Sequence, residues 1–282
     1  MKRFILSSPP NPEGMIHLYE KDYHYLVRVR RLKAGMCFDA ELPGGEERQV
    51  RILSTVDNIL IGECLGTSEQ ALAEQTPVVQ GKQTPPIALF QGLPKGAKMD
   101  LIARQAAECG VSIVAPFESE YSTVHLQKDS AEILSVESLS AEKVKRWERI
   151  VREARQQSGS ATETKIWPPR GFKAILESWE SLKKEYQSSL GIVLHQEAIE
   201  KSPLEKGSFH DYLGNCPDFI ALAVGPEGGF SPNEISLFLA AGFKPLVMGS
   251  TILRTETAAL CGIAAIRTIL LESESWIKRP KE

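Results

Sequence analysis

Apolar positions fall along this chain in two different rhythms. Up to about residue 70 they come in short bursts: Met15 to Tyr19, Cys37 to Leu42, Gln49 to Leu53 and Asn58 to Cys64. Pro43-Gly44-Gly45 and Val56-Asp57-Asn58 punctuate the bursts, which predicts short strands joined by tight turns. One helix is expected among them, around Tyr23 to Leu32. A small β-barrel over residues 1–70 is the natural reading. From about Gly66 the chain turns to Gln, Thr, Pro and Glu, a linker composition placed at residues 71–86. From there a second domain, residues 87–282, alternates strand and helix. Ile87 to Phe90 predicts a strand, Met99 to Cys109 a helix stopped by Gly110, and Val111 to Ala115 another strand. Trp147, Ile150, Val151 and Ala154 share one face of an amphipathic helix, and Leu190 to Leu194 is a further strand. Such alternation implies an α/β fold with a mostly parallel sheet covered by helices.

The last third carries two strand–loop–helix units. Phe219 to Val224 is apolar throughout, as expected of a parallel strand covered on both faces. Gly225-Pro226-Glu227-Gly228-Gly229 follows. Ser231 is then placed as a helix N-cap, Pro232 at the first helical position, and Glu234 as the partner in a capping box. Gly242 predicts the stop, and Leu246-Val247-Met248 the start of the next strand. That strand leads through Gly249 and Arg254 into a helix over about 255–271, apolar nearly all round and expected to be buried on most sides, either inside the domain or at a subunit contact. Both loops leave the carboxyl ends of strands, where open α/β sheets bind ligands.

Composition narrows the class without choosing the chemistry. At 282 residues the chain can build two cores. Its net charge of -3 supplies no global attraction to nucleic acid, so any basic surface must be local. Cys37, Cys64, Cys109, Cys216 and Cys261 include no CxxC pair, and His17, His24, His125, His195 and His210 show no metal-ligand spacing. Neither a zinc site nor a disulfide framework is expected, which fits a reducing cytoplasm. The first residues form too short an apolar stretch for a signal peptide, and no run approaches the roughly 20 residues of a membrane span.

Several words, taken together, resemble one family. They are Lys95-Gly96-Ala97-Lys98-Met99-Asp100, Gln105 to Val111, Ser119-Glu120-Tyr121-Ser122, Trp147-Glu148-Arg149-Ile150, Gln157-Ser158-Gly159, and above all GPEGG at 225–229 and LRTETA at 253–258. Over nearly its whole length the chain resembles the bacterial methyltransferases that act on N3 of a specific uridine in 16S ribosomal RNA. The resemblance implies a SPOUT-type domain, with the chain tied in a trefoil knot around S-adenosylmethionine (AdoMet), behind a PUA-like, RNA-associated barrel. It also implies a homodimer and 16S rRNA or the assembled small ribosomal subunit as partner. Knots are so rare that no spacing argument would propose one.

On this resemblance Leu194, His195, Val224, Gly225, Pro226, Glu227, Gly228, Gly229, Met248, Gly249, Ile252, Leu253, Thr257 and Ala258 are cofactor contacts. Residue types alone leave Gly225 to Gly229 open to a plainer role as a tight turn. The missing side chains would nonetheless let a flat adenine or ribose approach the backbone. Arg254 is the expected catalytic residue. Removing the N3 proton spreads negative charge over O2 and O4 of uracil, and a fixed guanidinium stabilises that charge. An ion pair with Glu256 is the alternative reading of Arg254, and the general base is left open between Glu227, Glu256 and neither. Arg28, Arg30, Arg31 and Lys33 cluster as either a solvated face or phosphate contacts. Arg146, Arg149, Arg152 and Arg155 suggest a second basic strip, with Arg149 and Arg152 as RNA contacts.

The chain departs from the family pattern where basic residues are usual: Gln105 and Tyr121 stand for Lys and Arg, Ser160 for Arg, and Ser250-Thr251 for Pro-Arg. Fewer phosphate contacts weaken RNA binding and flatten its salt dependence. Two rivals remain at this stage: a SPOUT enzyme of another specificity, such as ribose 2′-O methylation, and a non-catalytic RNA-binding or ribosome-assembly module.

Overall fold

The computed structural model describes residues 4–43, 45–65, 84–123, 133–196, 209–214 and 217–272. Most of the expected linker, with His125 and Cys216, lies outside them. The chain divides into two compact units, Met1–Val79 with Gln156–Gly159, and Gln80–Arg155 with Ser160–Glu282.

The first unit is a five-stranded sheet of β1 (Phe4–Ile5), β2 (Met15–Leu18), β3 (Cys37–Glu41), β4 (Glu47–Val56) and β5 (Ile59–Leu65). Its order is β1-β3-β4-β5-β2, so the expected small barrel takes the form of a curled sheet with β1 and β2 as end strands. Alternate residues point inward, and Phe4, Ile16, Leu18, Phe38, Ala40, Val50, Ile52 and Leu60 make its core. The predicted turn at Asp57-Asn58 is a two-residue hairpin with both residues at positive φ (54° and 59°), the conformation that follows the twist of the strands. The expected helix begins earlier than predicted, as α1 (Glu20–Tyr23). It then widens into a π-helical turn over His24–Val29, where Arg30 N–H donates to the Tyr25 carbonyl five residues back. β1 was not predicted; two residues are too few to show a period.

The second unit is a sheet whose pairings among the described residues are all parallel. Its strands are β6 (Ile87–Gly92), β7 (Ile113–Glu118), β8 (Lys165–Ile166), β9 (Arg170–Gly171), β10 (Ser189–Leu194), β11 (Phe219–Val224) and β12 (Phe243–Leu246). The order is β12-β10-β11-β6-β7-β8, with β9 also on β7. The helices are α2 (Lys98–Glu108), α3 (Ile133–Ser158), α4 (Phe172–Glu185), α5 (Phe209–Leu213), α6 (Pro232–Ala240) and α7 (Thr255–Glu272).

Strand alternation sorts two cores onto the two faces. Ile87, Leu89, Val114, Ile192, Ile220 and Leu222 pack against α2, α3 and α7. Ala88, Phe90, Ala115, Phe117, Phe219, Ala221 and Ala223 pack against α4 and α6 through Trp179, Ile235 and Phe238. Helix α7 lies close on the first face because residue 262 is glycine: a Cβ there would stand 2.8 Å from Leu222 Cδ2. Two expectations change. β12 ends at Leu246, so Val247 and Met248 belong to the loop rather than to a strand start. Helix α7 buries one stripe, Ala259, Ile263, Ile266 and Leu270, while Thr257, Ala264 and Thr268 stay exposed. It is amphipathic within this chain, so of the two expected settings burial on most sides inside the domain does not occur.

Candidate active site

Three loops leave the carboxyl ends of β10, β11 and β12 and enclose a cavity of about 310 Å³, near the small end of the usual ligand-site range. One wall is Leu194, His195 and Gln196. The second is Val224, Gly225, Pro226, Glu227, Gly229 and Phe230. The third runs over Val247, Met248 and Gly249, and then from Thr251 to Thr255, with Ala258 behind it and Lys98 at the edge. Gly228 and Thr257 do not line it. Gly228 faces the other way, where a Cβ would meet Tyr121 Cβ at 2.9 Å. Thr257 is on the exposed side of α7.

The loop shapes follow from their residues. Gly229 and Gly249 hold φ of +71° and +76°, a region that strains any side-chain-bearing residue. A Cβ at Gly225 would come within 2.9 Å of the Gly229 carbonyl carbon, so the loop closes on itself only because both are glycine. The Ser231–Glu234 capping box is formed: Ser231 Oγ accepts from Glu234 N–H at 3.2 Å, and Glu234 Oε2 accepts from Ser231 N–H at 2.9 Å. That carboxylate reaches further, accepting from Ser119 Oγ at 3.0 Å and from Glu120 N–H at 2.9 Å. One buried acid thereby ties the loop after β7 to the helix after the GPEGG loop.

A second tie joins the two signature loops. Thr255 Oγ1 donates to the Gly225 carbonyl at 2.6 Å and accepts from Gln91 Nε2 at 2.9 Å, all of it buried. A third is ionic. Lys98 Nζ lies 2.6 Å from Glu227 Oε1 and 3.7 Å from Glu256 Oε2, while Lys95 N–H also donates to Glu227 at 3.1 Å. Burial pushes the Glu227 carboxyl up, but the Lys98 hydrogen bond, backbone donors and the lysine's charge outweigh it and hold the group below the usual carboxylate range. The hydrogen bond to Glu227 in turn raises the Lys98 amine. A carboxylate so held is a weakened base, which removes Glu227 as the obvious proton acceptor.

Arg254 is exposed at the cavity lip, and Ile252 beside it is 73% exposed. The alternative pairing of Arg254 with Glu256 is not what forms, since Glu256 turns to Lys98. Among the described residues Arg254 makes no ion pair. Its carbonyl accepts from Ala258 N–H at 2.8 Å, which puts it at the start of α7, where the helix dipole adds partial positive charge.

The basic clusters fare unevenly. Arg28, Arg31 and Lys33 are exposed and Arg30 half-buried. On α3, Arg149 is exposed and Arg152 half-buried, but Arg155 is buried and Arg146 pairs with Asp100. The four arginines therefore do not make one continuous strip. Trp147 Nε1 donates to the same Asp100 at 3.1 Å, so Arg146 serves helix packing.

Sequence reasoning gave no role to Gln91, Thr255 or Lys98. Gln91 carried a signal, since it is the one polar side chain in the apolar stretch Ile87 to Leu93. The other two lay inside recognised words, but Lys98 pairs with Glu227 129 residues away, and Thr255 bonds Gly225 30 residues and Gln91 164 residues away.

A parallel α/β sheet with a ligand cleft at its carboxyl end, walled by glycine-containing loops and lined by Lys98 and Arg254, is the frame of a small-molecule-binding α/β protein. The family model for an RNA methyltransferase domain matches residues 82–267, and the chain belongs to that family. It is 28% identical over 270 residues to "Ribosomal RNA small subunit methyltransferase E" of Synechocystis sp., covering 95% of this chain and 78% of that protein. The protein of the same name in Bacillus subtilis is 28% identical over 248 residues, 87% of each. Among solved structures, a ribosomal RNA small subunit methyltransferase E from Neisseria gonorrhoeae bound to S-adenosyl methionine superposes with a TM-score of 0.69. It is 24% identical and covers 95% of this chain and 98% of that one. A probable rRNA-methyltransferase from Porphyromonas gingivalis gives 0.70 at 22% identity, over 97% of this chain and 100% of the other. These two likenesses speak for the fold.

Proposed function

We propose that the chain transfers a methyl group from AdoMet to N3 of a uridine in 16S rRNA of the small ribosomal subunit. The observation that carries this is the three-loop cleft with Arg254 at its lip. The relatives' names supply the substrate class, and the resemblance of the signature words supplies the atom.

The residues fit the cofactor. Gly225, Gly229 and Gly249 put no side chain between the backbone and an adenine or ribose edge, and Leu194, Val224, Ile252 and Leu253 give apolar walls. Leu194, His195, Val224 to Glu227, Gly229, Met248, Gly249, Ile252, Leu253 and Ala258 would hold it; Gly228 and Thr257 act from outside. The cofactor supplies a methyl group already activated on a sulfonium, so the protein's task is largely positioning. Thr255, Gln91 and Lys98 lock the loops that do this. Once the N3 proton has passed to solvent, the negative charge left on the uracil oxygens would meet the Arg254 guanidinium. Arg28, Arg31, Lys33 and Arg149 are assigned to phosphates. The trefoil knot, a PUA-like role for the first unit, homodimerisation and work in the cytoplasm belong to the same reading.

Calorimetry with AdoMet, followed by methyl incorporation into small subunits from a strain lacking the protein, tests the reading. Binding and incorporation are expected. Incorporation without binding, or neither, would contradict it.

A further inference from the structure

Residues 119–122 form a rigid platform that the methyl-transfer chemistry does not use. Ser119 and Ser122 are buried, at 2% and 3% exposure, yet Tyr121 between them is 46% exposed. The turn is closed by Ser122 N–H to the Ser119 carbonyl at 2.9 Å and by Ser119 N–H to Ser122 Oγ at 3.1 Å. It is pinned from below by Glu234, which accepts from Ser119 Oγ and Glu120 N–H. The root of the Tyr121 side chain rests on Gly228: a Cβ on that glycine would lie 2.9 Å from Tyr121 Cβ and 3.6 Å from its Cγ. Gly228 is the residue of the GPEGG loop that faces away from the cleft, while its neighbours Glu227 and Gly229 line it. No aromatic stacking or T-shaped contact occupies the ring among the described residues.

A large ring held by a fixed backbone, half in solvent and one residue from the cleft wall, is the arrangement that receives an unstacked base. Aromatic faces stack on any nucleobase, and single-stranded or looped RNA offers them. Resting on the RNA methyltransferase reading above, we propose that Tyr121 is a stacking platform for a base of the RNA substrate, next to the residue that enters the cleft. With no charge at position 121, the ring face is what this position offers to RNA.

The test compares wild type, Tyr121→Ala and Tyr121→Phe. KM and kcat are read on intact small subunits over a range of salt, with AdoMet affinity by calorimetry and thermal midpoints as folding controls. Tyr121→Ala should raise KM for the subunit about 5- to 150-fold. The factor should be similar at every salt concentration, since stacking releases no counterions. AdoMet affinity should be unchanged, and Tyr121→Phe should keep the wild-type KM. A KM for Tyr121→Ala within about twofold of wild type would overturn the platform, as would equal loss in Tyr121→Phe. If wild type binds AdoMet but methylates no RNA, the underlying functional reading fails instead.

Discussion

Arg254 carries the chemical claim at the scale of single residues. Replacing a donor aimed at developing charge costs on the order of 10²-fold or more in rate. Arg254→Ala should therefore lose methyl transfer while its AdoMet affinity, measured by calorimetry, stays near wild type; full turnover would return Arg254 to a surface role. Lys98 makes a different and pH-dependent claim. Glu227 titrates below its ordinary range in the folded chain, so the stability it contributes is present above that range and is lost as pH falls through the depressed value. Lys98 titrates above its ordinary range, so its share is present below that range and is lost as pH rises through the raised value. Lys98→Met should destabilise the fold at neutral pH by about 1 kcal/mol or less, because the pair is partly exposed, and this is read as a lower thermal midpoint. The gap between variant and wild type should close in acid, where Glu227 is protonated in both. A gap independent of pH would mean that the Lys98–Glu227 charge pair is not its source.

At the scale of elements, the loop after β11 and the start of α7 work as one piece because Thr255 bonds both Gly225 and Gln91. Thr255→Val removes the hydroxyl and leaves the buried Gly225 carbonyl and the Gln91 amide short of partners. This should cost about 1–3 kcal/mol, read as a shift in denaturant midpoint, and should weaken AdoMet binding with it. Thr255→Ser should keep both; a Thr255→Val variant as stable as wild type would show that the tie is dispensable. These loops also show what a sequence can disclose. The capping box of Ser231 and Glu234 was legible because its partners are three residues apart and the rule is local. Glu234's second set of partners, Ser119 and Glu120, was not, because no local rule spans 115 residues. The same holds for Lys98 with Glu227 and for Gln91 with Thr255. Where the expectation failed outright, at Val247 and Met248, apolar residues suited to a strand were needed instead as cavity wall.

At the scale of the whole molecule, the parallel α/β sheet was legible from apolar runs such as Phe219 to Val224, which are buried on both faces. The short β8 and β9 were not, because two residues carry no period. The strand order, which brings β10, β11 and β12 together, comes from packing rather than pattern. The site lies wholly in residues 84–272, so a fragment spanning 84–282 should still be stabilised thermally by AdoMet. No shift at saturating cofactor would move the site elsewhere. No cation sits at positions 105, 121, 160 or 251, so short RNA should be held poorly and a rigid partner offering many contacts should be held better. Methyl incorporation should accordingly be faster on assembled small subunits than on free 16S RNA or a short hairpin.

The central claim is the transfer of a methyl group to uracil N3, and the product nucleoside tests it most directly. Small subunits from a strain lacking the protein would be incubated with the purified chain and AdoMet, digested, and their nucleosides resolved by mass spectrometry. The account predicts 3-methyluridine appearing with wild type and absent with Arg254→Ala. A 2′-O-methylated nucleoside, or no new methylated nucleoside with wild type, would contradict it.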